Sequence, residues 1–344
     1  MAKMLKAVTM SDIAEKLNIS TVTVSKALAN QKGVSEEMRE KIKSLADDMG
    51  YKYTTKDKDF GKSYNMGVLV SKRYLDSSDS FYGKMCQEIT AKAMEKGSFT
   101  LLEFIQEEEE RKGKLPKLIR ENKIDGLIVV GKPGFDYAKM LEKTVKKPMV
   151  FLDFYDADLR TDSVIANSYL GAYMLTKYLI KAGHREIAYV GTLLVTDSIT
   201  DRYLGYVRAM MEHNLPVEPQ WLINDRDFET GLMELYREIK LPEKMPTAFV
   251  CNCDYIASIL IKTLKERGYR VPEDVSVVGF DNYLYPWLCD IGITTYEVNI
   301  PEMSRKAVET LYNRLEGIED GLKVSTVPGR LVEKDSVKKI KKIG

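Results

Sequence analysis

The stretch TMSDIAEKLNISTVTVSKALAN, residues 9–30, decides how the N-terminal part of this chain folds. Apolar residues recur in its first half at the three- and four-residue spacing of a helix, namely Ile13, Ala14 and Leu17. Thr9 followed three residues later by Asp12 is a capping-box pattern, so we expect a short helix that ends near Asn18. Ser20 can cap a second helix, which leaves room only for a tight turn between the two. The stretch therefore predicts a helix-turn-helix.

The second helix, STVTVSKALAN, has an unusual outer face. With Val24 and Leu28 turned inward, the helical period places four residues outward: Thr21, Val22, Ser25 and Lys26. The hydroxyl groups of this segment can donate to phosphate oxygens, at Ser20, Thr23 and Ser25. Base edges in a major groove are within reach of Thr21, Val22 and Lys26. A three-helix capping or protein-binding module is the alternative, but it does not account for a Ser, Thr and Lys face, so we predict a DNA-reading helix.

A third helix completes a small core after this pair. Ser35 is a capping residue followed by acidic residues, and apolar residues continue at helical spacing until Gly50 closes the helix. Residues 1–63 carry 12 Lys and Arg against 9 Asp and Glu, a difference of +3, whereas the whole chain has a net charge of +1. A mildly basic head on a nearly neutral chain suits a module that contacts phosphates.

Length and composition set the class of the whole protein. A chain of 344 residues suggests two or three globular units, and 44% hydrophobic with 30% charged residues is the balance of an ordinary folded protein. No apolar run reaches the roughly 20 residues that span a bilayer, and the N-terminus lacks the apolar stretch of a secretory signal, so we expect a cytoplasmic protein without a membrane partner. Four scattered cysteines predict reduced thiols, and the lone pair Cys251 and Cys253 favours packing over metal binding. We predict no metal and no cofactor.

Short apolar runs alternate with helical segments in the rest of the chain. The first series of expected strands is NMGVLV, FTLLEFI, IDGLIVVG and KPMVFLD, and a second series after residue 166 is REIAYVG, TAFVCN and VSVVGFD. This alternation is typical of parallel strands covered by helices, and two series predict two similar α/β lobes. Ligands of such sheets bind outside the carboxyl ends of the strands, so a cleft between two lobes collects strand-end residues from both.

The residues at these strand ends are aromatic or acidic. They are Phe81 and Tyr82 after the first strand, Asp153 after MVFLD, Asp254 after FVCNC and Asp281 after VVGFD. Aromatic rings cover the C–H face of a sugar while carboxylates bind its hydroxyls, so the set suits a polyol, although purines would use similar aromatics. Asp254 is equally consistent with a cap of the helix that follows it. Three further aromatics, Tyr283, Tyr285 and Trp287, either reach the cleft mouth, where they would suit an oligosaccharide, or pack within their loop.

The first fifty residues resemble the head of the lactose-repressor/galactose-repressor family of bacterial transcription regulators. The resemblance runs without a gap through DIA, TVSKAL and GVSEEMREKI to MGY, and it differs at the turn, where Leu17-Asn18 replaces Ala-Gly. Asn tolerates the left-handed conformation nearly as well as Gly, so we expect the turn to be kept. The resemblance implies that Thr21, Val22 and Lys26 read bases. The other DNA-contact candidates of the head are Thr9, Ser20, Thr23 and Ser25.

In this family the linker after the head carries a hinge helix that wedges a leucine into the minor groove of the DNA. Here residues 51–63 are polar, and the aligned positions are Asp57, Lys58, Asp59 and Phe60. Phe60 is the candidate wedge, while the two aspartates would face a phosphate-lined groove and weaken the contact. The linker departs from the family pattern.

The second half of the chain resembles the effector-binding domain of the same family, in segments that span most of residues 165–312. Among them are SITDRYLGYVRAM, PTAFVCNCDYIA and RVPEDVSVVGFDN. The resemblance implies a two-lobed, periplasmic-binding-protein-like α/β fold with parallel sheets. It places Arg202 as the effector-chelating arginine, Asp281 as the effector-binding acid, Asp153 and Phe228 as further pocket residues, and Phe81 and Tyr82 as the aromatic rim. Ser198, Asp254 and Cys253, which stands where the family usually has Asn, complete the candidate set.

These observations predict one division of the chain. We expect an all-α helix-turn-helix head at residues 1–50, a hinge at 51–63, and an α/β domain for effector binding and dimerisation at 64–344. The N-terminal lobe of that domain is expected at about 64–163 with 294–325, and the C-terminal lobe at about 164–293 with 326–344.

Three function classes are compatible with two lobes and a helical head. The first is a repressor whose affinity for a pseudo-palindromic double-stranded operator is switched by a small molecule, most readily a sugar or oligosaccharide. The second is a cytoplasmic sugar-binding module without operator-specific regulation. The third, an enzyme, lacks a nucleotide fingerprint, a metal cluster or a catalytic triad, so we predict no catalytic residues. The regulator hypothesis uses both halves of the chain, and the absence of a C-terminal heptad repeat favours a homodimer over a tetramer.

Overall fold

The computed structural model describes residues 8–29, 31–51, 62–74, 80–228, 231, 239–283, 288–318 and 321–340. The chain forms two compact units, residues 1–62 and residues 63–344. Each unit has a hydrophobic core of its own. None of the helices in the described ranges is both long and apolar enough to cross a lipid bilayer.

In residues 8–29 and 31–51 the first unit has three helices, which are α1 (Met10–Leu17), α2 (Thr21–Leu28) and α3 (Glu36–Asp48). The predicted caps are present, since Thr9 and Asp12 bond reciprocally and Ser20 accepts the backbone N–H of Thr23 at 3.0 Å. Asn18 has a φ of 50°, the left-handed conformation expected for the turn. The buried core of the unit consists of Ile13, Ala14, Val24, Ala27, Leu28, Ile42 and Ala46. The predicted helix-turn-helix is confirmed.

The described residues of the second unit form two parallel sheets, the first with six strands. They are β1 (Asn65–Ser71), β2 (Phe99–Ile105), β3 (Gly126–Val130), β4 (Met149–Leu152), β5 (Asp162–Ala166) and β11 (Val324–Val327). Their order across the sheet is β11-β5-β4-β3-β1-β2, and each neighbouring pair is parallel. The helices of this lobe are α4 (Phe81–Glu95), α5 (Glu107–Arg111), α6 (Lys117–Arg120), α7 (Phe135–Thr144) and α11 (Ile300–Leu315).

The second sheet has four strands in the order β7-β6-β8-β9. They are β6 (Ile187–Val190), β7 (Leu222–Ile223), β8 (Ala248–Cys251) and β9 (Ser276–Val278). Its helices are α8 (Ser168–Lys181), α9 (Asp197–Glu212) and α10 (Asp254–Glu266). A short antiparallel pair, β10 (Thr295–Glu297) with β12 (Arg330–Val332), adjoins β9 through single bridges. All seven predicted strands are present, and the strands that sequence analysis did not predict are β5, β7, β10, β11 and β12.

Both faces of each sheet are covered, because successive side chains of a strand point to opposite faces. Val68 and Val70 of β1 belong to the core beneath α4 and α11, whereas Leu69 packs on the other face with Tyr137 and Leu141 of α7. This two-sided burial explains why the strands are continuous apolar runs rather than alternating ones.

Three connections join the lobes of the second unit, after β5, after β10 and after β11. They lie at residue 167, residues 298–299 and residues 328–329, each a few residues later than the lobe boundary expected from the sequence. The shift arises because β5 and β11 stay paired as far as Ala166 and Val327. It also arises because single bridges hold β10 beside the second sheet. Sequence periodicity alone did not reveal these short strands.

Candidate functional sites

The outer face of α2 is exposed as the sequence predicted. Thr21, Val22, Ser25 and Lys26 all face solvent, and Val22 leaves 60% of its surface uncovered. Methyl groups on Thr and Val can contact the thymine methyl of a base pair, and a Lys at the end of the same face can donate to a guanine edge. The face therefore carries the groups that direct readout of a major groove requires.

Three other hydroxyl candidates of the head form caps. The oxygen atoms of Ser20 Oγ and Thr23 Oγ1 lie 2.8 Å apart, and Ser20 also accepts the N–H of Thr23. The hydroxyl and the N–H of Thr9 both donate to Asp12 Oδ2 at 2.7 Å. These contacts fix the starts of α1 and α2, whereas Ser25 lies on the exposed face of the helix. Phe60, the candidate wedge of the linker, lies outside the described residues.

A buried arginine of α3, which sequence analysis did not single out, supports the end of α2. Arg39 is only 8% exposed, and its guanidinium donates to the carbonyl oxygens of Ala27, Gln31 and Val34 at 3.4, 3.1 and 3.4 Å. These carbonyls belong to the last turn of α2 and to the loop that follows it. A fork of N–H donors on three backbone acceptors holds α2 in a fixed position on α3.

The first lobe contributes an acid and an aromatic cluster to the cleft between the lobes. Asp153 follows β4 with a φ of 69°, and Tyr82 of α4 donates a hydrogen bond of 2.9 Å to Asp153 Oδ2. The ring of Tyr82 lies 4.7 Å from that of Tyr74 and 5.2 Å from that of Phe81. A non-glycine residue in the left-handed region is strained, and such strain concentrates at functional sites.

Groups of the second lobe act electrostatically on Asp153. Burial raises its pKa to about 6, Arg202 opposes that rise, Asp281 adds to it, and the hydrogen bond from Tyr82 again opposes it. Arg202 and Asp281 belong to the second lobe, so the strand ends of both lobes meet at this point. The structure thereby brings together the candidates Tyr82, Asp153, Arg202 and Asp281.

Arg202 of α9 is the centre of the second lobe's contribution. Its Nη1 donates to the carbonyl oxygen of Asn252 and its Nη2 lies 3.3 Å from Asp281 Oδ1. The guanidinium stacks on the ring of Phe280 with 3.8 Å between them. Its Nε is buried and has no hydrogen-bond partner in the part of the chain that the structure describes. Asp281, with a φ of 97°, has a pKa raised by burial and lowered by nearby arginines, with a net increase.

Three polar residues that sequence analysis did not single out, Asp225, Arg226 and Asn252, form a hydrogen-bonded group at the carboxyl ends of β7 and β8. Asn252 directly follows β8, so the strand-end criterion could have found it. The strand β7 has only two residues and was not predicted, so the position of Asp225 and Arg226 at a strand end was not visible.

Asp254 and Cys253 lie at the start of α10. Cys253 is the N-cap residue without a side-chain capping bond, and Asp254 is 2% exposed. The Asp254 carboxylate accepts the N–H of Tyr283 at 3.0 Å, so it holds the loop after β9 rather than capping its own helix. Burial and the nearby Asp281 raise its pKa well above the ordinary value. Burial also raises the pKa of the Cys253 thiol, to about 12, which keeps it a neutral thiol.

The remaining effector-site candidates differ in how far they are buried. Ser198 lines a small cavity between the lobes, together with Asp153, Tyr155, Asp197 and Asp201. Phe228 is 63% exposed, so it does not join the buried group. Across the cleft, the ring of Phe81 lies 6.0 Å from that of Tyr283. Tyr285 and Trp287 lie outside the described residues.

Comparison with known proteins agrees with both units. Residues 9–53 match the model of bacterial regulatory proteins of the lacI family, and residues 176–337 match a periplasmic binding protein-like domain. The HTH-type transcriptional repressor PurR of Vibrio parahaemolyticus is 28% identical over 336 residues, which cover 96% of this chain and 99% of PurR.

Two solved structures have the same fold. One is a complex of the transcriptional regulator CelR with cellobiose, with a TM-score of 0.66, 19% identity and coverage of 96% of this chain and 99% of CelR. The other is a lac repressor dimer bound to operator and the anti-inducer ONPF, with a TM-score of 0.62, 21% identity and coverage of 97% and 100%. The chain therefore combines the DNA-binding region of the lacI family of bacterial regulatory proteins with a periplasmic binding protein-like domain, which are the two parts of a DNA-binding transcription regulator.

Proposed function

We propose that this chain is a cytoplasmic repressor that binds a pseudo-palindromic operator as a homodimer and is switched by a sugar or oligosaccharide in the interlobe cleft. In this proposal residues 1–50 read the DNA, residues 51–63 act as the hinge, and residues 64–344 bind the effector and a second copy of the chain. A ligand that favours one arrangement of the lobes changes operator affinity by its differential binding to the two arrangements.

One observation carries the effector part of the proposal. Tyr82 and Asp153 from the first lobe converge with Arg202 and Asp281 from the second lobe. Carboxylates that accept from hydroxyls, a fork of guanidinium donors and aromatic rings are the groups that bind a polyol. Because the four residues come from both lobes, a ligand bound among them stabilises the closed cleft.

The solved relatives support the choice of ligand and partner. The CelR structure holds cellobiose, and the lac repressor structure is a dimer on operator DNA. The edge strand β2 of this chain exposes Phe99, Leu102 and Phe104, and Met94 of the neighbouring α4 is 63% exposed. An exposed apolar edge of this kind is suited to pairing with a second copy.

Operator selection followed by a ligand screen tests the proposal. Full-length protein would select binding sites from a random duplex library, and fluorescence anisotropy would then measure operator affinity with and without each of a panel of sugars and nucleosides. We expect one selected sequence with two-fold symmetry and a sugar that changes its affinity by roughly 5- to 150-fold, the usual range of allosteric coupling. Selection of no sequence would contradict operator recognition.

Asp281→Ala provides the matched variant. It should lose the response to the sugar, because it removes the partner of Arg202 in the cleft, while operator binding, which the other unit performs, is retained. A sugar that binds without changing operator affinity would favour the sugar-binding module instead. Loss of both functions in the variant would assign Asp281 a structural role.

A further inference from the structure

The second lobe holds another guanidinium, that of Arg226, at the carboxyl ends of its strands. Its Nε and Nη2 donate to Asp225 Oδ2 at 2.9 and 2.6 Å, and its Nη2 donates to Asn252 Oδ1 at 3.2 Å. Asp225 is completely buried and accepts the N–H of Thr192 at 2.7 Å and the amide of Asn252 at 2.9 Å. Arg226 is therefore held in one orientation by a buried and hydrogen-bonded frame.

Asn252 connects this guanidinium to Arg202. Its backbone oxygen accepts from Arg202 and its side-chain oxygen accepts from Arg226, so the two arginines flank one residue. Both lower the pKa of Asp281 electrostatically, and Arg226 also acts on Tyr74 of the first lobe. Among the described residues, nothing accepts from Arg226 Nη1, whose two N–H groups remain available in the cleft.

The charges around these arginines are already balanced. Arg226 is paired with Asp225, whose pKa is lowered against the effect of burial mainly by Arg226, and Arg202 is paired with Asp281. Asp153 remains as a carboxylate whose hydrogen-bond donor is a neutral tyrosine. The centre of the cleft thus offers N–H donors without an excess of positive charge, and an anionic ligand would meet Asp153 and Asp281 in a poorly solvated space.

We infer that Arg226 is a second effector-binding donor, and that the effector is an uncharged polyhydroxyl compound whose oxygens accept from Arg226 and Arg202, whereas sugar phosphates and sugar acids are rejected. The inference rests on the proposed function. An uncharged hydroxyl or ring oxygen gains hydrogen bonds from the fixed Nη1 and brings no charge toward the carboxylates. A phosphate or carboxylate gains most from a guanidinium with free positive charge, and both arginines are already neutralised by their own aspartates.

Calorimetry on the full chain with matched ligands tests the charge preference. The probes are glucose, ribose and cellobiose, each compared with charged counterparts: glucose 6-phosphate and glucuronate, ribose 5-phosphate, and cellobionate. We expect at least one neutral sugar to bind and each of its charged counterparts to bind roughly tenfold more weakly or not at all. Tighter binding of any charged probe than of its neutral counterpart overturns the inference, as does a panel in which no neutral sugar binds.

Two variants test the role of Arg226 itself. Because Arg226→Gln alone leaves the buried Asp225 uncompensated, the double variant Asp225→Asn/Arg226→Gln keeps an amide pair in the same place. We expect it to bind the neutral sugar roughly tenfold more weakly. Arg208→Gln, on the exposed side of α9, is the matched control and should bind as the wild type does. Unchanged affinity in the double variant overturns the assignment of Arg226.

Asp225→Asn alone separates a binding role from a structural one. Removal of this carboxylate leaves Arg226 with an uncompensated positive charge, so the ratio of charged to neutral sugar affinity should rise. A purely structural Asp225 would weaken both ligands equally, and that result would overturn the inference. If a charged sugar binds and shifts operator affinity, the proposed function stands while this inference fails. If a neutral sugar binds with no effect on the operator, the inference stands and the proposed function fails.

Discussion

Lys132 donates to both carboxylate oxygens of Asp197, at 3.0 and 2.9 Å, and this ion pair joins the two lobes. Lys132 follows β3 of the first lobe, whereas Asp197 is the first residue of α9 in the second lobe. The side chains are 23% and 27% exposed, so water screens the pair only in part. The pair therefore links the two lobes in the arrangement that this structure shows.

Lys132→Met should weaken closure of the cleft. A partly exposed ion pair contributes about 0.5–1 kcal/mol, so we expect sugar affinity to fall by a few-fold and to depend less on salt than in the wild type. Calorimetry at low and high ionic strength measures both effects. Lys112→Met, which breaks an exposed pair with Glu108 within the first lobe, is the control. Equal sugar affinities in wild type and Lys132→Met would show that the ion pair has no part in closure.

Asp153 should make the stability of the protein depend on pH. Burial raises its pKa from 3.8 to about 6, so the folded state takes up this proton more readily than the unfolded state does. The stability contribution is complete below pH 4 and is lost as the pH rises through 6, a change of about 2–3 kcal/mol for this difference. Urea denaturation of wild type and Asp153→Asn between pH 4 and 8 measures it. We expect the free energy of unfolding of the variant to rise relative to that of the wild type as the pH rises. A difference between the two that stays constant with pH would contradict the raised pKa.

Lys26→Ala should relax recognition of one base pair. Lys26 lies in the last turn of α2 on its exposed face, where a base-edge contact contributes about 1–3 kcal/mol of discrimination. Anisotropy titrations against operators substituted one position at a time should show preference lost at a single position. Lys16 occupies an exposed position of α1, so Lys16→Ala should at most weaken binding to all operators by the same factor. Undiminished discrimination at every position would show that Lys26 does not read a base pair.

Arg39→Met should destabilise the head and weaken operator binding together. Its guanidinium donates to three backbone carbonyls around the end of α2, and loss of buried donors costs about 1–3 kcal/mol. Thermal unfolding of the full chain, with operator titration in parallel, checks both consequences. Lys41→Met, an exposed position of the same helix, is the control. A variant with wild-type unfolding and operator affinity would show that α2 is held without this arginine.

Much of the head was predictable because its interactions are local. The capping pairs Thr9 with Asp12 and Ser20 with Thr23 span three residues, and the left-handed turn at Asn18 follows from one residue type. The long strands were equally visible, because burial on both faces demands an apolar run. Strand ends then indicated Asp153 and Asp281, and the structure places them close enough for Asp281 to raise the pKa of Asp153.

What the tertiary structure decided is which distant residues meet. Arg226 and Asn252 are 26 positions apart in the chain and Lys132 and Asp197 are 65 apart, and no periodicity or spacing reveals such pairs. Asp254 faces the loop after β9 rather than its own helix because β9 packs beside the start of α10. The sequence by itself determined the helix-turn-helix, the alternation of strands and helices, and the acids at the strand ends, since neighbours along the chain control these features. The balance of charge in the cleft depends on the order of strands in the sheets, because that order brings Arg202 to Asp281 and brings the neighbouring residues Asp225 and Arg226 to Asn252.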